Sequence, residues 1–551
     1  MRSSLKTIIS IGTIVPLAIG TTVASVNPSN EEANGPNVEN IIYLIGDGMG
    51  PQQVSSAAYF LGEGYDYGTL TMDTFSSIGY ARTHSLDNIV TDSAAAGTAL
   101  SSGHKTDNDV VGMVPNEEGA YEPVKPITSF AQDLGMSTGL VSTTRITHAT
   151  PASFASHVED RGMEDEIATQ MLDYDVDVLL GGGIEHFDAE ERDDGRDLIE
   201  EAEGAGYELL YDRDELLQTE GDKLLGLFST SHMAYELDRE TTNQPSLAEM
   251  TNTAIEQLSK DDDGFFLMVE GGRIDHAGHD NLPAEMMTDT IAFDEAIEVA
   301  LEYAKSDPNT LVVITADHGT GGLSLGLDGE YGFERDVLKN VTRSIDYMAE
   351  QLDDDNENLE EVLQAYAGID DLTDEEADRI LEDAETVEEG IARVISDRAL
   401  VGWTTTGHTA VDVPVYAYGP TEEQYRATLD NTEIPKMMID ALHTVEEDND
   451  ITILNLEPTE DVTLQSGESV RIQFESEPGL DASFSIRAPL VNVPNAPTEL
   501  PVTETEPGVY TAYWTATSNL QASRAEIEVT VIDSEGNTHS EIADGKLNIN
   551  P

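Results

Sequence analysis

Residues 311–319 read LVVITADHG. The unbroken apolar and β-branched run lacks the polar alternation of a half-wetted strand and is too short for a buried helix. It reads as a strand covered on both faces. The run ends abruptly in Asp317, His318 and Gly319. The same form recurs at IIYLIG (41–46), STGLVST (137–143), DVLLGGG (177–183), FFLMVEGG (265–272) and VPVYAYGP (413–420). Helix-like segments separate these runs. In 285–305, Met287, Ile291, Ala292 and Ile297 mark one apolar face. Continuous apolar strands alternating with helices predict an α/β fold, with a mostly parallel central sheet flanked by helices on both faces.

That rhythm occupies residues 39–445. Residues 325–400 interrupt it with very acidic, helix-like sequence, read as an insertion on the sheet. Within it, Thr373 followed by Glu376 forms a capping-box pattern. From about Ile451 the period changes to two, in SVRIQFES, ASFSIRA, GVYTAYWTATS and AEIEVTVID. Residues 451–551 are therefore expected to form an antiparallel, immunoglobulin-like β-sandwich domain. At the other end, Arg2 and Lys6 precede an apolar stretch from Ile8 to Ile19 and small residues near Ala24. Residues 1–24 read as a signal peptide and 25–38 as a linker, which predicts a secreted or periplasmic protein with no membrane span after signal removal.

The charge balance is extreme. The chain of 551 residues has 108 acidic and 27 basic side chains, a formal net charge of −81, while 39% of its residues are hydrophobic. That much apolar sequence excludes disorder as the meaning of the charge. An acid-coated folded surface is tolerated where salt screens it, the Debye length falling to about 3 Å at 1 M, so a saline environment is expected. A nucleic-acid partner is excluded, because binding one needs a basic footprint. There is no cysteine, so any metal site must be built from carboxylates, imidazoles and hydroxyls.

In open parallel sheets, ligands bind beyond the carboxyl ends of the strands. Those positions hold Asp47 in GDGMG, Glu270, Asp275, His276 and His279 in EGGRIDHAGH, and Asp317 and His318 in TADHGTGG. His148, Thr150 and Arg161 follow the 137–143 run, and His408 lies just ahead of the 413–420 run. Each alone has an ordinary structural explanation, such as a turn aspartate, a helix cap or a surface pair. Chemistry-bearing side chains after nearly every predicted strand are harder to explain that way. Oxygen and imidazole donors suit Zn²⁺ and Mg²⁺, and two such ions about 4 Å apart can clamp an in-line displacement. Ser93, in IVTDSAAAGTAL (89–100), follows Asp92 at the start of a small-residue helix. A helix N-terminus favours a bound anion, and a serine hydroxyl needs a base or metal to become a nucleophile.

TDSAAAGTAL, GDGMG, EGGRIDHAGH, TADHGTGG and THATPASFASHVEDR together resemble, in family order, the motifs of alkaline phosphatases. The resemblance implies an alkaline-phosphatase-like fold and hydrolysis of small phosphate monoesters through a phosphoserine at Ser93. It implies two zinc ions, one held by Asp275, His279 and His408, the other by Asp47, Asp317 and His318. A magnesium would be held by Asp47, Thr150 and Glu270. Arg161, oriented by Asp92, would grip the phosphate, with His148 and His276 nearby. Because some members carry aspartate and lysine at those two positions, the third metal is open between Mg²⁺, Zn²⁺ and Mn²⁺. A homodimer is implied as well. A sulfatase nucleophile would need Pro and Arg after it, which DSAAAG lacks; a phosphodiesterase and a binding protein with a decayed site are the remaining rivals.

Overall fold

The computed structural model describes residues 38–550 apart from 65, 117, 193, 444–451, 488–499, 517–521, 533–537 and 544. The expected signal segment and all of the linker but Val38 lie outside the described residues.

A ten-stranded sheet organises the larger part of the chain. Its strands are β1 (Asn40–Gly46), β2 (Ser77–Arg82), β3 (Ser137–Arg145), β4 (Val178–Gly182), β5 (Glu208–Leu210), β6 (Leu224–Leu227), β7 (Phe265–Glu270), β8 (Thr310–Ala316), β9 (Val413–Tyr418) and β10 (Thr428–Asp430). They lie in the order β10-β2-β9-β8-β1-β7-β3-β4-β6-β5. The central strands β1, β7 and β8 are buried at every residue, which is why their sequences show no alternation. Register then sets the chemistry. Gly46 pairs with Ala316, and Ile45 pairs with Glu270. Asp47 and Asp317 therefore leave the sheet side by side, with Glu270 beside them.

One strand departs from the expected direction. β9 runs antiparallel to both neighbours, β8 and β2, whereas the remaining pairs in the sheet are parallel. The apolar run 413–420 carries no signal of strand direction, because burial on both faces looks the same either way. The reversal matters. His408 precedes β9, and in a parallel strand that position would fall at the wrong edge. Antiparallel, the start of β9 lies at the carboxyl ends of the others, where Thr315 Oγ1 donates to Pro414 O at 3.2 Å.

Four helices carry site residues or lie against them: α1 (Ser93–Ser102), α2 (Ala149–Ala152), α3 (Arg273–His279) and α4 (Pro283–Ser306). The insertion is helical as expected and ends in α5 (Val387–Ala399). Its capping box forms as read: Glu376 N donates to Thr373 Oγ1 at 3.2 Å, and Thr373 N donates to the Glu376 carboxylate at 2.9 Å. Beyond the sheet domain, strands from Leu454 to Asn550 form a mostly antiparallel array. One pair in it, Val462–Gln465 with Leu547–Asn550, is parallel. Its inward residues, among them Ile472, Phe474, Tyr510, Ile527 and Val529, form a hydrophobic cluster of their own.

Candidate active site

Helix α1 begins with a double use of Asp92. Its backbone is extended and its Oδ1 accepts from Ala95 N at 2.9 Å, capping α1. Its Oδ2 accepts from Arg161 Nη1 at 3.1 Å and from Asp109 N at 3.1 Å. The acid ahead of the serine thus caps the helix and holds the arginine. Ser93, the first residue of α1, is buried, with its Oγ 3.2 Å from His318 Nε2. The small residues behind it let α2 pack closely. A Cβ on Gly97 would meet Ser153 Oγ at 2.8 Å.

Around Ser93 the strand ends gather ionisable groups into three sets whose ligand atoms lie within 4.8 Å of one another: Asp275, His279 and His408; Asp47, Asp317 and His318; and Asp47, His148 and Glu270. In the first, His279 Nε2 lies 3.3 Å from Asp275 Oδ2 and 2.9 Å from His408 Nε2. The outer nitrogens face backbone carbonyls, His279 Nδ1 at 2.6 Å from Thr406 O and His408 Nδ1 at 2.8 Å from Thr91 O. Donation from both Nδ1 atoms leaves two Nε2 lone pairs facing each other, an arrangement a cation between them would satisfy. In the second set, His318 Nε2 lies 2.9 Å from Asp317 Oδ2 and 3.5 Å from Asp47 Oδ1. Gly48 closes this corner. Its φ is +69°, and a Cβ there would lie 2.8 Å from Asp275 Cα, so a side chain is excluded.

The donor set fits divalent cations. Both carboxylate oxygens of Asp47, Glu270 Oε1, Asp317 Oδ2, Thr150 Oγ1 and His148 Nδ1 are buried without a hydrogen-bond partner. Each such orphan is costly unless something compensates it. Burial, then the nearby charges of Asp317, Asp275 and Glu270, pushes the Asp47 carboxyl well above its usual range. Burial also pushes Glu270 up to about 7, against hydrogen bonding from the Ser142 hydroxyl. His279, hydrogen-bonded to Asp275, rises to about 9, while burial lowers His408 to about 4. Four buried carboxylates in one space can all ionise only if cations share it.

On the far side of Asp47, Arg161 Nη2 lies 3.0 Å from His148 Nε2, so His148 reaches both the arginine and the third set. The His148 and His276 rings are 5.5 Å apart. Several neighbours have no signal in the local sequence. Ser142 and Thr144 donate to Glu270 Oε2, and Thr320 Oγ1 donates to Asp275. The His232 ring lies 4.3 Å from that of His276, and Arg273 Nη1 donates to His276 Nδ1 at 2.9 Å. Hydroxyls and an isolated histidine carry no local signal. Arg273 lies inside EGGRIDHAGH, but nothing in that local sequence marks its place over the Tyr235 ring.

The alkaline phosphatase family model matches residues 38–444. Alkaline phosphatase 3 of Bacillus subtilis is 40% identical over 445 residues, spanning 77% of this chain and 94% of that protein. Among solved structures, the Thermus thermophilus alkaline phosphatase aligns with a TM-score of 0.68 at 31% identity, over 75% of this chain and 92% of that one. A histidine-to-glutamate mutant of the TAB5 alkaline phosphatase, with Mg bound in its M3 site, aligns with a TM-score of 0.55 at 30% identity, over 74% of this chain and 98% of that one.

Proposed function

Because this chain belongs to the alkaline phosphatase family of metal-dependent phosphomonoester hydrolases, we propose that Ser93 attacks the phosphorus of a phosphate monoester and becomes transiently phosphorylated. The observation that carries this reading is the placement of Ser93 Oγ at a helix N-terminus, 3.2 Å from His318 Nε2. Asp275, His279 and His408 would hold one zinc, and Asp47, Asp317 and His318 the other. Asp47, Glu270 and Thr150 would hold a magnesium, with His148 within reach of the same position. When bound, these cations supply Lewis acidity for the attacking and leaving oxygens.

The residues do the rest. Arg161, held from behind by Asp92, offers its guanidinium to two phosphate oxygens in the fork geometry suited to them. The N-terminal amides of α1 add a favourable field for the anion. The Ser93 oxygen forms the new P–O bond as the bond to the leaving alcohol breaks, and the alcohol departs with a proton. Water then attacks the phosphoserine, inorganic phosphate leaves and the serine hydroxyl is restored.

The protein is a homodimer, exported and working in saline medium. The composition of residues 1–24 and the formal charge of −81 support the latter two points; no helix among the described residues is long and apolar enough to cross a membrane. Residues 39–445 form the catalytic domain, and 451–551 an immunoglobulin-like β-sandwich whose separate apolar cluster supports independent folding. Turnover of an aryl phosphate monoester against the matching diester by the zinc- and magnesium-loaded protein tests the reaction. A large monoester preference is expected, and equal or greater diester turnover would replace this reading with a phosphodiesterase.

A further inference from the structure

With Ser93 attacking from the Asp47–Asp317–His318 side, in-line displacement puts the leaving oxygen toward the Asp275–His279–His408 set. The rest of the substrate then passes His279. There the surface opens into a cavity of about 360 Å³, lined by His232, Tyr235, Arg273, His276, Asp280 and Asp346 as well as His279.

Two features of that cavity stand out chemically. The guanidinium carbon of Arg273 lies over the Tyr235 ring, 3.8 Å from its centroid. One Nη donates to His276 Nδ1, and its Nε has no hydrogen-bond partner. In a chain with 108 acids to 27 bases, most guanidiniums among the described residues have a carboxylate beside them, as in Arg145–Glu164, Arg161–Asp92 and Arg239–Glu236, whereas Arg335 and Arg343 bond backbone carbonyls instead. Among the described residues no carboxylate lies within 4 Å of Arg273. Asp280 and Asp346, which line the same cavity and feel the Arg273 charge, are exposed. Both also line the adjoining groove of about 780 Å³, where Glu385 and, in the first turn of α5, Glu388 and Glu389 add further carboxylates. The leaving-group side thus gathers a guanidinium and two carboxylates around one cavity.

We propose that this cavity takes a zwitterionic leaving group, its carboxylate on Arg273 and its ammonium toward Asp280 and Asp346, so that O-phospho-amino acids are the favoured class of monoester. The inference rests on Ser93 being the nucleophile. Guanidinium recognises carboxylate through charge-assisted hydrogen bonds, and the ring beneath Arg273 restricts its side chain in advance, so less freedom is lost on binding.

The test uses the full-length, zinc- and magnesium-loaded protein and substrates with one skeleton: O-phosphoserine, phosphoethanolamine, 3-phosphooxypropanoate and ethyl phosphate. Released phosphate gives kcat/KM for each at fixed ionic strength. O-Phosphoserine is expected to be best. Arg273→Gln is expected to lower kcat/KM for the two carboxylate-bearing substrates about tenfold while the phosphoethanolamine to ethyl phosphate ratio holds. Asp280→Asn with Asp346→Asn should lower the two ammonium-bearing substrates instead. Glu298→Gln with Glu302→Gln, exposed on α4, changes the net charge equally and should move no ratio. Equal loss on all four substrates in both Arg273→Gln and Arg273→Lys would overturn the inference and leave Arg273 a structural role. So would a wild-type protein that does not discriminate among them. Failure to hydrolyse any of the four, ethyl phosphate included, would overturn the Ser93 reading itself.

Discussion

At the scale of the residue, Asp92 shows how one side chain can serve fold and chemistry together. Its two oxygens have separate tasks, a helix cap on Ala95 N and a brace on Arg161. Asparagine caps a helix about as well as aspartate but has no charge to hold the guanidinium. Asp92→Asn should therefore leave the thermal midpoint nearly unchanged and raise KM for an aryl phosphate. Asp92→Ala should add a loss of about 1 kcal/mol in stability, read by denaturant unfolding. Equal KM values in wild type and Asp92→Asn would remove the brace from the account. The cap on Ala95 N emerged only with the structure, whereas the acid-before-serine order was legible because it is local. Ser142, Thr144 and His232 were not, because each acquires its meaning from a partner distant in sequence, such as Glu270 or His276.

At the scale of the element, the strands were read well because burial on both faces leaves a continuous apolar run. The same burial hid the direction of β9. The long helix α4 hid something else. Its apolar face was visible, yet Glu285, Asp289 and Asp294 are buried along it too. In a sequence this rich in acid, a buried carboxyl does not stand out from the solvated ones. Burial pushes Glu285 up to about 7 from its usual 4.5. Between those two pH values the folded chain holds a proton that the unfolded chain has released. Stability therefore falls as pH rises through this window and stays lower above it, by at most about 3 kcal/mol. Burial raises Asp289 likewise, to about 8. Glu285→Gln keeps the Oε1 acceptor for Ile345 N and cannot ionise. Its thermal midpoint should match wild type near pH 4.5 and exceed it at pH 9. A difference independent of pH would show that charge is not the cause.

At the scale of the whole molecule, the proposed phosphate-binding centre belongs to a chain of formal charge −81. Such a field repels a phosphate dianion, and in the proposed site Arg161 and bound cations would reverse it at short range. Salt screens the long-range repulsion first, with a Debye length of about 10 Å at 0.1 M. Initial rates at subsaturating substrate should therefore rise with added salt before they fall, with circular dichroism showing the fold intact throughout. A flat or steadily falling profile in a folded protein would contradict the saline adaptation. The charge was the plainest feature of the sequence; the opposite charges around the leaving-group cavity were not legible, because Asp280 and Asp346 meet Arg273 only through the fold. The most direct measurement is mass spectrometry of protein quenched in acid during turnover of an aryl phosphate. The account predicts a phosphoryl group on the peptide carrying Ser93 in the metal-loaded enzyme, lost on chelation and restored by zinc and magnesium. A phosphoryl group on another residue, or full turnover by Ser93→Ala, would contradict it.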